Sequence, residues 1–156
     1  MKAITLVQPW ASLVILGAKH IETRSWNTKY RGKLAIHAGK KWNKHLADLC
    51  EAEPFRSALY GLDGTFPEGR HSNTPLGMIL GTVELVDCVA TEDLLVQVNE
   101  ESGPEFAFGD YRPGRWGWLL QHAQLLTHPV PFVGRQGLWD VPDEVIANAA
   151  IHAMDG

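Results

Sequence analysis

Residues 76–90, LGMILGTVELVDCVA, form a fifteen-residue run of largely aliphatic and β-branched side chains in which Glu84 and Asp87 are the only acids. A stretch that is apolar on both faces suits a strand covered from both sides, so this segment is predicted to be the longest strand and to lie centrally in a sheet. Shorter strand candidates flank it at 2–7, 19–24 and 33–38 before, and at 105–108, 115–126 and 129–133 after. Between them, Pro9 suits the first turn of a short helix over 9–16, which Gly17 would stop. Asn43 can cap a second helix running towards Tyr60, with Pro54 bending or breaking it. Short helices are expected at 91–98 and 143–153. The Gly-, Pro-, Ser-, Asn- and Thr-rich stretch 61–75 reads as a loop and as the most mobile part. Many strands with a few short helices predict an α+β or barrel-like domain rather than a doubly wound one.

At 156 residues, 45% of them hydrophobic and 21% charged, the chain is long enough to bury its own core and is expected to form one domain over 1–156. Cys50 and Cys88 are the only cysteines and lack metal-ligand spacing, which disfavours a disulfide scaffold or a zinc finger. The start shows no secretory signal, and no apolar run approaches the ~18 residues of a membrane span. A soluble, cytoplasmic protein is therefore expected.

Charge is distributed unevenly. Residues 1–44 carry nine Lys or Arg and the single acid Glu22, whereas 45–156 carry five basic residues and seventeen acids. The two parts either pair across the fold or leave an anion-binding surface in the amino-terminal third.

One segment makes the choice sharper. Gln8-Pro9-Trp10-Ala11-Ser12-Leu13 is followed by Gly17-Ala18-Lys19-His20-Ile21-Glu22-Thr23-Arg24-Ser25-Trp26, which contains the pattern GxKxxExR. Tyr30-Arg31-Gly32, Ile36-His37-Ala38 and residues 81–88, GTVELVDC, accompany it, and Gly137-Leu138-Trp139 closes the chain in a matching way. In these features the chain resembles the ASCH domain. The resemblance implies a small PUA-like β-barrel with a few peripheral helices and a cleft lined by the Lys, Glu and Arg of the pattern. It further implies association with RNA or DNA; one branch hydrolyses the acetyl amide of N4-acetylcytidine, and nuclease activity has been proposed for others.

The candidate site follows from the residues and the pattern together. Lys19, just past the helix stop, is expected at a barrel mouth, its ammonium reaching a phosphate or carbonyl oxygen. On a strand His20, Glu22 and Arg24 share one face, so Glu22 either pairs with a neighbouring cation or accepts an N–H from a base edge. Trp26, Tyr30 and Arg31 mix planar groups with charge, as single-strand binders do, and Lys40 extends the basic surface. Trp116, Trp118 and Trp139 are read as core. Glu84, an acid in an apolar strand, is a candidate buried or half-buried carboxylate for acid-base work with Lys19. The amidohydrolase branch, however, has a threonine three residues after its lysine, where this chain has Glu22, and Thr23 faces the other way on a regular strand. His20 and His37 have no recognised ligand spacing, so no metal and no cofactor are expected. The leading expectation is a basic cleft for single-stranded nucleic acid, RNA first, or for a modified nucleotide. The alternative is a hydrolase acting on RNA or a modified nucleoside through Lys19 and Glu84.

Overall fold

The computed structural model describes residues 1–60 and 74–155, the side chains of 150–155 excepted. Its elements are β1 (Lys2–Leu6), α1 (Trp10–Ile15), β2 (Ile21–Arg24), β3 (Gly32–Ala38), α2 (Lys44–Glu51), α3 (Phe55–Tyr60), β4 (Met78–Ala90), α4 (Thr91–Leu94), a 3-10 turn (Pro104–Phe108), β5 (Trp116–Pro131), β6 (Leu138–Asp140) and α5 (Asp143–Asp155). Most of the loop expected at 61–75 lies outside the described residues.

The strands form one mixed sheet in the order β2-β5-β4-β3-β1-β6. Strands β1 and β3 run parallel and the other neighbours antiparallel. As its apolar pattern requires, β4 sits between two long partners; its first half is buried and it emerges from the core at Glu84. Register shifts at Ile36/His37 on one side of β4, and at three points along its pairing with β5, bend the sheet. The result is an α+β half-barrel with few helices.

Alternation decides what each face holds. Ile4, Leu6, Leu34 and Ile36 point into the half-barrel with Val83, Leu85 and Trp118, and α1 covers them with Ala11, Val14 and Ile15. Ala3 and Ala35, one position out of phase, face the other side, where Ile79, Leu126, Trp139, Val141 and Ile146 join them under α5. Each large aliphatic side chain buried in this way stabilises the fold by roughly 1.5–3 kcal/mol. Asn43 caps α2 by accepting from the Leu46 N–H at 2.9 Å, and Pro54 separates α2 from α3. Gly17 ends the first helix region at φ +79°, a conformation glycine adopts without a Cβ penalty.

Three expectations need correction. Residues 105–108 form a 3-10 turn rather than a strand. The turn sends Phe108 into a cluster with Leu13, Phe55 and Leu59, and Phe106 into a different one with Tyr111 and Ile21. The two strands expected at 115–126 and 129–133 are one, because beyond Leu119 β5 pairs with β4 alone and Pro129 needs no second partner. Helix α4 stops at Leu94, well short of 98.

Candidate nucleic-acid interface

The curl of the sheet brings β2, at one edge, towards β1, near the other. On β2 the period of two buries Ile21 and Thr23 and turns Glu22 and Arg24 outward. Arg24 spans the gap, one guanidinium nitrogen donating to the carbonyl of Thr5 on β1 at 2.9 Å, while its Nε is enclosed without a partner. Trp26 follows, set edge-on to Trp118 with ring centres 4.8 Å apart, and its carbonyl accepts the Trp118 indole N–H. Thr5, Arg24 and Trp26 thus form a seam.

A cleft opens on each side of it. The first, about 680 Å3, lies between the seam and residues 132–137; Arg24, Lys40 and Arg135 line it, and among the described residues no carboxylate does. The second, about 430 Å3, lies between β2, the start of α1 and residues 107–110; Trp10, Glu22, Asp110 and Arg115 line it with the seam.

The floor of the first cleft is a directed hydrogen-bond chain. Buried His37 donates from Nε2 to the Phe132 carbonyl at 2.7 Å, which leaves Nδ1 as an acceptor for the Thr5 hydroxyl at 3.1 Å. The same hydroxyl accepts the Trp139 indole N–H at 3.2 Å. Burial pushes the His37 imidazole below its ordinary range, although the Phe132 hydrogen bond pulls the other way. Residues 132–137 close over this chain: a Cβ on Gly134 would sit 2.5 Å from the His37 ring and 2.6 Å from Thr5 Oγ1, so only glycine fits.

In the second cleft the two carboxylates differ. Asp110 is held by Arg112, at 2.5 Å, and by Arg115, which keep its carboxyl at about 2. Glu22 accepts the Thr23 N–H through Oε1 at 3.0 Å, and among the described residues Oε2 has no hydrogen-bond partner.

Lys19 is not at an open mouth. It is 1% exposed and its ammonium donates to the Ile21 carbonyl. Burial lowers its pKa, opposed by the charges of Glu22 and Glu105. Glu105, half-buried, accepts the backbone N–H groups of His20 and Ile21 at 2.8 and 2.5 Å. Together Lys19 and Glu105 fix the start of β2 and so the direction in which Glu22 and Arg24 point. Of the other sequence candidates, Glu22, Arg24, Trp26 and Lys40 line the two clefts. Tyr30 and Arg31 line neither; the Tyr30 hydroxyl donates to Lys33, and Arg31 donates to the Thr28 and Tyr30 carbonyls and to Asp87. Glu84 is exposed rather than buried, with His122 at 3.6 Å, because it sits where β4 leaves the core.

A family model described as "ASCH domain" matches residues 4–124. The chain belongs to the ASCH domain family. Activating signal cointegrator 1 of Mus musculus is 30% identical over 146 residues, covering 91% of this chain and 22% of that protein. The protein of the same name from Homo sapiens is 29% identical over 145 residues, again 91% of this chain and 22% of the relative. This ASCH chain therefore spans about a fifth of the length of these curated relatives. Among solved structures, ASCH from Zymomonas mobilis superposes with a TM-score of 0.53 at 13% identity, covering 97% of this chain and 93% of that one. At that identity the likeness concerns the fold, a PUA-like α+β half-barrel. Among the described residues no helix is long and apolar enough to cross a membrane.

Sequence reasoning missed Thr5, Phe132, Gly134 and Arg135 as parts of this candidate site, and Glu105 as the group that holds the backbone at the start of β2. None stands in a local pattern: Glu105 meets β2 from more than eighty residues away, and Arg135 enters through a closing loop. The one available signal was the glycine pair Gly134 and Gly137 flanking an arginine.

Proposed function

We propose that this ASCH domain binds single-stranded nucleic acid, RNA in the first place, or a nucleotide derived from it, along the Arg24–Trp26 seam. The carrying observation is the first cleft: among the described residues three cations and no carboxylate line it, in a chain whose net charge is -4. A local concentration of guanidinium and ammonium groups against that background suits phosphate oxygens, and the half-buried indole of Trp26 beside it offers a surface for a base. The membership in the ASCH family supports the same reading.

The test is a titration of a fluorescently labelled RNA oligomer and its DNA counterpart at several salt concentrations. Neutralising about three phosphates should give a slope near -2 in log affinity against log salt, by the single-strand rule of about -0.7 per phosphate. The double change Arg24→Ala with Arg135→Ala should lower affinity and flatten the slope, whereas Arg56→Ala, on α3 and lining neither cleft, should do neither. Absence of binding to either oligomer at low salt would refute the proposal. The hydrolase reading has no comparable observation behind it, since Lys19 is enclosed and Glu84 lines neither seam cleft. Purified protein is accordingly expected to leave N4-acetylcytidine intact, as followed by mass spectrometry.

A further inference from the structure

The two clefts differ in chemistry in a way that defines what the second one selects. Phosphate oxygens find donors in the first cleft, from Arg24, Lys40 and Arg135. The second cleft, sharing the Arg24–Trp26 wall, brings two half-buried tryptophans, Trp10 and Trp26, together with a carboxylate. Trp10 is held edge-on by Phe55, with ring centres 6.2 Å apart, and Trp26 by Trp118, so both rings are fixed before a ligand arrives. Of the two carboxylates, Asp110 is committed to Arg112 and Arg115. Glu22 retains one oxygen without a partner among the described residues and a further lone pair on the other.

We infer that the second cleft is a base-selecting subsite in which the Glu22 carboxylate accepts two adjacent N–H donors of a guanine, while Arg24 at the shared wall holds the attached phosphate in the first cleft. This deepens, and rests on, the nucleic-acid reading of the seam. A carboxylate offers two parallel acceptors. Guanine presents two parallel donors on one edge, the ring N1–H and the exocyclic N2 amino group. Adenine and cytosine each present an amino group beside an acceptor, and uracil a single ring N–H flanked by two carbonyls, which face a carboxylate with repulsion. The selection therefore follows from donor count and needs no shape difference among the bases. Lys19 acts here only as a positioning residue, through its hold on the start of β2.

The experiment uses the full chain and labelled RNA hexamers: all-uridine, and the same hexamer with a single central guanosine, adenosine, cytidine, inosine or 7-deazaguanosine. Fluorescence anisotropy should place the guanosine hexamer about tenfold or more tighter than the uridine hexamer, the discrimination expected of a bidentate contact, with adenosine and cytidine giving no such gain. Inosine, which lacks the N2 amino group, should lose most of the gain. The 7-deazaguanosine hexamer, which keeps N1–H and N2–H2, should retain it. Glu22→Gln should collapse the guanosine hexamer to the uridine level, its fold checked by near-ultraviolet circular dichroism. Equal binding of the guanosine and uridine hexamers, full retention of affinity by inosine, or a guanosine preference that survives in Glu22→Gln would overturn the assignment. In those outcomes salt-sensitive binding of the uridine hexamer still supports the seam as a nucleic-acid site. Failure of every hexamer to bind at low salt would remove both readings together.

Discussion

The Lys19 ammonium is enclosed with the charges of Glu22 and Glu105 acting on it and the Ile21 carbonyl accepting from it. Removing such a group leaves the Ile21 carbonyl without its donor and opens a buried space, so Lys19→Ala is expected to cost about 2–4 kcal/mol, whereas Lys19→Met, which refills the space, should cost less. Urea unfolding of the variants would check this; a Lys19→Ala cost below about 1 kcal/mol would show that the ammonium is dispensable to the fold. The pattern GxKxxExR singled out Lys19, yet its burial was illegible because the elements that enclose it come together only in the folded sheet. His37 contributes a pH dependence just below neutrality. Its folded pKa lies below the usual value near 6.5, so the unfolded chain takes up a proton where the folded chain does not. Stability should therefore fall as pH drops below about 6.5, and level off once the folded ring also protonates. Urea midpoints measured between pH 8 and 5 should show this loss, and His37→Gln, which cannot titrate, should flatten that part of the profile.

At the scale of elements, alternation along β2 was readable: a strand with Glu22 and Arg24 on one face is what the structure contains. The central place of β4 was readable too, because a run that is apolar on both faces suits a strand covered from both sides, as the first half of β4 is. The 3-10 turn at Pro104–Phe108 was not. Its two phenylalanines alternate as they would on a strand, and only the separate clusters that receive them distinguish the two conformations. The loop of residues 132–137 was equally opaque, since what shapes it is His37, about a hundred residues earlier. Gly134→Ala tests that element. The added Cβ would fall within 2.6 Å of His37 and Thr5, so the loop must shift, at a cost of about 1–3 kcal/mol, and carry Arg135 away from the cleft. Thermal unfolding and oligomer affinity measured together should both decline; unchanged affinity would mean that Arg135 takes no part in binding.

For the whole molecule, the curl of one sheet creates the site, bringing the edge strand that bears the GxKxxExR pattern against β1 so that Arg24 and Trp26 close a seam between two clefts. The charge asymmetry of the sequence foreshadowed a basic surface, but it could not separate Lys40, which lines a cleft, from Arg31, which is tied to its own turn and to Asp87. If residues 1–156 fold as one unit, calorimetry should give a single transition with an enthalpy of about 110 kcal/mol near 60 °C, from ~0.7 kcal/mol per residue; two resolved transitions would divide the chain. The central claim, that ligand occupies the seam, is tested most directly by nuclear magnetic resonance mapping of a labelled sample titrated with a short RNA oligomer. Shifts are predicted to concentrate on the Trp26 indole N–H, the Arg24 guanidinium and the amides of Gly39, Gly77 and Gly134. Shifts confined to the Tyr30–Arg31 turn or to the exposed end of β4, with the seam resonances unmoved, would contradict the account.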